Sequence, residues 1–133
     1  MSVRVVVTGV GGGVGQSVIK GLRLANRNMN RDYHIIGVDS NPLAAGLYRA
    51  DRGYRVPSAS DEDSYFEALI EIMNRESAEV LIPGSDPEVV SIAAHVDDVE
   101  SNTDAVVVVS PNATVKMCAD KWGTFEFLES NGF

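Results

Sequence analysis

Residues 3 to 42 constrain this chain more than any other stretch. Val3 to Thr8 is an apolar run of strand length, and Gly9 to Gly15 then places five glycines in seven positions. A stretch of helical period follows, and a second apolar run, Tyr33 to Asp39, closes in Asp39-Ser40-Asn41-Pro42. Strand, glycine turn, helix and second strand ending in an acid make the first half of a Rossmann-like unit.

The rest of the chain repeats the alternation. After the glycines, Val14, Val18, Leu22, Ala25 and Met29 recur at spacings of four, four, three and four and predict the inner face of an amphipathic helix. Lys20, Arg23 and Arg27 fall opposite and read as a solvated face rather than a phosphate site. Leu43 to Tyr48 predicts one or two helical turns before a short strand over 52–56. Ser60 with Asp63 has the form of a capping box, opening a helix to about Glu76 whose stripe includes Tyr65, Phe66, Leu69, Ile70 and Met73.

Val80 to Pro83 reads as a fourth strand. Ser85 or Asp86 then caps a helix with Pro87 near its start and Val89, Val90, Ala93 and Val96 inside. Ala105 to Val109 is unbroken and apolar, as a parallel strand covered on both faces requires. A short helix from Ser110-Pro111 and another from Asp120 to about Asn131-Gly132 complete the chain. The expected fold class is α/β: a Rossmann-like open parallel sheet of about five strands, order 3-2-1-4-5, with helices on both faces.

Composition narrows the partners. With 44% apolar and 23% charged residues, the 133-residue chain is globular and expected to fold as one domain. Nineteen acids against eleven bases, a net charge of −8, exclude non-specific attraction to nucleic acid or to an anionic membrane. A small-molecule substrate or a protein surface is the expected partner. No apolar run has the ~20 residues of a membrane span, and Met1 to Arg4 shows no signal-peptide pattern. A cytoplasmic location is therefore expected. Cys118 has no second cysteine to pair with and reads as a buried, inert thiol.

Two loops carry possible chemistry. Gly9, Gly12 and Gly15 give a GxxGxxG spacing, while the stricter GxGxxG fails because Val14 stands at its third glycine. These glycines suit a ligand loop or a helix packed close to its strand, and both readings stay open. Asp39 stands where an acid would hold a ribose hydroxyl, the weak cofactor-binding candidate, but reads first as a turn acid bonded to the Asn41 backbone. The second loop is Gly84 to Glu88, which faces the glycine turn across the point where the strand order reverses. Asp86 and Glu88 could meet an amine or hydroxyl there, and read first as helix-capping acids.

His34 and His95 show neither metal-ligand spacing nor a nucleophile partner and read as structural. Trp122, Phe125, Phe127 and Leu128 suggest a helix packed on the sheet edge, with part of its surface able to meet a partner domain.

Taken together, VTGVGGGVGQSVIKGLR, GVDSNPLAAGLYRAD, YRVP, VLIPGSDPE and ADKWGTFEFLESNGF resemble the amino-terminal part of ATP-grasp ligases, in the branch similar to the carbamoyl phosphate synthase large subunit. The closing segment is the most specific: Asp120-Lys121, Thr124, Leu128 and Gly132 match the DK-x-x-T-x-x-x-L-x-x-x-G pattern that precedes the ATP-binding domain. The resemblance implies residues 1–118 as a Rossmann-like domain and 119–133 as a helix leading toward an ATP-grasp domain, in cis or in a companion subunit. It implies a substrate-side wall of an ATP-dependent carboxylate–amine (or ammonia) ligase, inactive alone, with ATP and magnesium bound mainly by other domains and no cofactor or metal held by this fragment. No catalytic residue carries over. The substrate-binding candidates are Gly11, Gly12, Gly13, Ser85, Asp86 and Glu88, with an acid orienting an amine and the glycine amides near an anion.

Two further classes remain. Thr8-Gly9-x-x-Gly12-x-x-Gly15 also looks like the start of a short-chain dehydrogenase or epimerase, an NAD(P)-binding reading that leaves the DK segment unexplained. A regulatory module that senses a nucleotide, or a homo-oligomer formed through an exposed strand edge, is the other.

Overall fold

The computed structural model describes residues 1–133. Five parallel strands form one sheet in the order β3-β2-β1-β4-β5. They are β1 (Val3–Val7), β2 (Tyr33–Asp39), β3 (Arg52–Arg55), β4 (Val80–Ile82) and β5 (Val106–Val107). The helices are α1 (Gly13–Asn28), α2 (Ala45–Arg49), α3 (Glu62–Glu76), α4 (Asp86–Ala94), α5 (Val96–Asn102), α6 (Asn112–Ala119) and α7 (Lys121–Ser130). The expected strand order and α/β class are borne out.

Alternation along the strands divides the core into two layers. Val6, Ile36, Val38, Leu81 and Val107 point to one face, where they meet Tyr65, Leu69 and Met73 of α3 and Ile92 of α4. Val5, Val7 and Ile35 point to the other, against Val10 and Ile19. Each fully buried aliphatic side chain contributes about 1.5–3 kcal/mol of transfer free energy, so the central strands β1 and β2 anchor the fold.

Several local expectations need correction. The inner face of α1 is centred on Gly15 and Ile19, and Val14 and Met29 are exposed. The cause lies in Gly15: a Cβ there would stand 2.4 Å from the Gly9 carbonyl oxygen. A glycine is thus the closest point of contact between helix and turn, and a hydropathy pattern cannot register it. Lys20 and Arg27 are solvated, whereas Arg23 pairs with Asp51 at 2.8 Å. The capping box of α3 does not form, because Asp61 occupies the cap position and the Ser60 hydroxyl bonds that of Ser58 instead.

The α4 stripe also shifts. Glu88, Ser91, Ile92 and Ala93 face inward, Val90 is exposed, and the helix breaks at His95 so that Val96 opens α5. β5 is only two residues long, with Val106 and Val108 exposed, because α1 and α2 lie over β1, β2 and β3 and leave that side of the sheet edge open. α7 buries no residue and packs on α6 rather than on the sheet. Trp122 and Phe125 lie exposed with their rings 5.4 Å apart. Cys118 is exposed, not buried. No helix is long and apolar enough to cross a membrane.

Candidate functional site

All the strands run the same way, so the loops after β1, β2, β3 and β4 converge at one end of the sheet. There they enclose an open cleft of about 620 Å³. It lies at the reversal of strand order, where open α/β sheets place their ligands. The glycine turn supplies Gly9 and Gly12, the turn after β2 supplies Asp39, and the opening of α4 supplies Ser85 and Glu88. Glu62 and Lys116 reach in from α3 and α6.

Glu88 organises this wall. Its side chain is buried, yet its carboxylate accepts three hydrogen bonds: from Thr8 Oγ1 at 2.9 Å and Ser85 Oγ at 2.6 Å on Oε2, and from the Tyr65 hydroxyl at 2.9 Å on Oε1. Thr8 Oγ1 in turn accepts from the Gly84 amide at 3.2 Å. A carboxylate offers about four acceptor positions, so three donors leave one free. The third position of α4 also puts this charge at the helix's positive end. Burial first, and then the charge and hydrogen bond of Glu88, push the Tyr65 hydroxyl well above its ordinary pKa, which keeps it a donor. Gly9 has the left-handed φ of +57°, and a Cβ there would stand 2.6 Å from Glu88 Oε2. Only glycine lets the turn approach this carboxylate so closely.

Asp39 closes the opposite side. Oδ1 accepts from the Asn41 amide at 2.8 Å, the turn bond expected from the sequence, and Oδ2 accepts from the Gly11 amide at 2.7 Å. The acid therefore braces the glycine turn against β2, and the Gly11 amide already holds an anion.

The six substrate candidates separate in space. Gly12, Ser85 and Glu88 line the cleft together. Gly11 sits behind it, bonded to Asp39, and Gly13 opens α1 with no atom within 4 Å of where its Cβ would stand. Asp86 lines a second hollow of about 480 Å³ with Val89, Val115 and Lys121. The Ser85 hydroxyl turns to Glu88 instead of capping a backbone amide. Thr8, Tyr65, Glu62 and Lys116 were not singled out from the sequence as site residues. Only Tyr65 carried a signal, a hydroxyl inside an otherwise apolar stripe.

The histidines hold local structure. His95 Nδ1 lies 2.9 Å from the Ser91 carbonyl oxygen with its ring against Phe66, and His34 lies 3.9 Å from Asp51. No three His, Cys, Asp or Glu side chains stand close enough together to hold a metal ion.

Residues 10–108 match a family model described as the PylC-like N-terminal domain. Among solved structures, N5-carboxyaminoimidazole synthetase from Staphylococcus aureus, complexed with ADP, superposes with a TM-score of 0.65 at 13% identity, over 98% of this chain and 30% of that one. The biotin carboxylase domain of a single-chain bacterial carboxylase gives 0.64 at 18% identity, over 98% and 29%. Pyruvate carboxylase from Rhizobium etli gives 0.63 at 18% identity, over 98% and 13%. At such identities the likeness is one of fold, and the chain spans less than a third of each of these proteins. No curated protein sequence matches the chain.

Proposed function

Because the chain belongs to the PylC-like N-terminal domain family, whose fold is that of the amino-terminal domains of ATP-grasp enzymes, we propose that it supplies the substrate-side wall of an ATP-dependent carboxylate–amine (or ammonia) ligase. In this reading residues 1–118 are the Rossmann-like body and 119–133 lead toward an ATP-grasp domain, in cis or in a companion subunit. ATP and magnesium belong to the complete enzyme and are held mainly outside this chain.

The charge of the cleft is the observation that carries the reading. Asp39, Glu62 and Glu88 line it against Lys116 alone, a setting that repels a triphosphate and favours an amine- or hydroxyl-bearing group. The free acceptor position of Glu88 is the contact for that group, and Gly12 and Ser85 shape the wall beside it. Gly13, at the start of α1, is the glycine left to face an anionic group, since the Gly11 amide is taken. Asp86, in the second hollow, is directed toward α6 and α7. The exposed aromatic face of α7 suits a helix that hands over to another domain.

The NAD(P) alternative fares worse on the same geometry. Asp39, the acid that would hold a ribose, already braces the glycine turn through two backbone amides, a structural role that needs no ligand.

Calorimetry of the 133-residue chain with magnesium-ATP, NAD and NADP, and turnover assays with an ATP-grasp partner domain present, test the proposal. Acceptor-dependent ADP release should require both components. Micromolar affinity for NAD or NADP would establish the dehydrogenase reading, and tight binding of ATP by this chain alone would refute the assignment of nucleotide contacts elsewhere.

A further inference from the structure

On the flank of the molecule, α1 and the end of α2 border a shallow pocket of about 420 Å³ lined by Gln16, Ser17, Ile19, Lys20, Arg23 and Arg49. Three of the chain's eleven bases thus meet at one place in a protein of net charge −8, and no acid lines the pocket. Arg23 is paired with Asp51, whereas Lys20 and Arg49 take part in none of the chain's ion pairs. Both are exposed, and close like charges without a counter-charge repel one another.

The arginines are held in place by their neighbours. Arg49 Nη1 donates to Gln16 Oε1 at 3.1 Å, and Arg23 Nη2 donates to the Arg49 carbonyl at 3.1 Å. Gln16 Nε2 in turn donates to the Gly11 carbonyl at 3.0 Å, and the Gly11 amide is the one held by Asp39 in the cleft. An unbroken path of hydrogen bonds therefore runs from the basic pocket to the glycine turn.

We propose that this pocket binds a small phosphoryl-bearing anion and that its occupancy is felt at the glycine turn through Arg49 and Gln16. A guanidinium presents parallel N–H donors that match phosphoryl oxygens, and the Lys20 ammonium adds a flexible second charge. An anion drawing Arg49 toward Lys20 weakens its bond to Gln16, and so alters the hold on the Gly11 carbonyl. The site is separate from the cleft and does not depend on the ligase reading.

The test is a pyrophosphate titration of the isotope-labelled chain followed by NMR, with sodium chloride adjusted to keep the ionic strength constant. Saturable shifts are expected at the Arg49 Nε, the Gln16 side-chain amide and the Gly11 amide. Lys20→Gln and Arg49→Gln should each weaken binding roughly tenfold or more, as loss of a charge-assisted hydrogen bond does, and Arg27→Gln, outside the pocket, should leave it unchanged. Both positions are exposed and the Lys20 side chain makes no hydrogen bond, so the folded spectrum should persist. Shifts that never saturate, affinity unaffected by Arg49→Gln, or shifts confined to Gly13 and Val14 at the start of α1 would overturn the site. Saturation at Arg49 with Gln16 and Gly11 unmoved would overturn the coupling.

Discussion

Tyr65→Phe is the sharpest probe of the cleft wall. Tyr65 is fully buried and its hydroxyl is the sole donor to Glu88 Oε1, while Thr8 and Ser85 both serve Oε2. Phenylalanine keeps the ring that packs in the core and removes only the donor. A hydrogen bond to a buried charged acceptor is worth about 1.5–3 kcal/mol, and no other side chain donates to Oε1. Unfolding entropy near ~2.1 cal/mol/K per residue gives the 133-residue chain roughly 0.28 kcal/mol/K, so the melting temperature should fall by roughly 5–11 °C. Urea denaturation of the wild type, Tyr65→Phe, Glu88→Gln and the double variant closes a cycle whose coupling should reach about 1 kcal/mol or more. The pH dependence gives a second readout. The folded Tyr65 pKa is raised above its unfolded value, so its contribution is complete below about pH 10 and is lost as pH rises beyond that. Tyr65→Phe should remove that part of the alkaline slope. A loss under about 0.5 kcal/mol, the level of an ordinary surface change, or a cycle with no coupling, would refute the view that this hydroxyl holds the carboxylate in place.

Gly15→Ala places a Cβ 2.4 Å from the Gly9 oxygen and 2.8 Å from Val10 Cα, both backbone atoms, so it should cost about 3 kcal/mol or more, whereas Gly13→Ala meets open space and should be neutral to mildly stabilising in the same denaturation assay. At Asp51, burial raises the pKa, but the Ile35 amide and Arg23 outweigh it and leave it below the ordinary value. Stability from that acid is present above about pH 4 and lost as pH falls below it, so Asp51→Asn should flatten the acid limb of a pH–stability curve while lowering stability at pH 7. Cys118 is exposed, so one thiol per chain should react with a thiol reagent without denaturant, and protection until unfolding would contradict its placement. Trp122, the single tryptophan, is 65% exposed; its emission should be that of a solvated indole, and Trp122→Ala should change stability by less than about 0.5 kcal/mol.

The sequence alone determined the layered fold and the order of its strands. Apolar runs too short for helices, separated by helical periods and broken at Asn41-Pro42 and Pro83-Gly84, admit little besides a parallel α/β sheet, and the glycine turn marks where its first helix begins. Gly12, Ser85 and Glu88 could be brought to one cleft on the same grounds, because parallel strands send all their following loops to one end. What hydropathy could not decide is which atoms approach most closely. The α1 face turned inward on Gly15, a residue with no side chain to score, and one face of β5 stayed bare because α1 and α2 lie over β1, β2 and β3. The roles of Glu88 and Asp39 also waited for the tertiary structure. A carboxylate reads as exposed until Thr8, at the end of β1, and Tyr65, on α3, are seen to donate to it, and Asp39 looks free until the Gly11 amide closes on it across 28 residues. Periodicity reports the average environment of a face. Hydrogen-bond partners far apart in sequence are fixed only when the whole chain is packed.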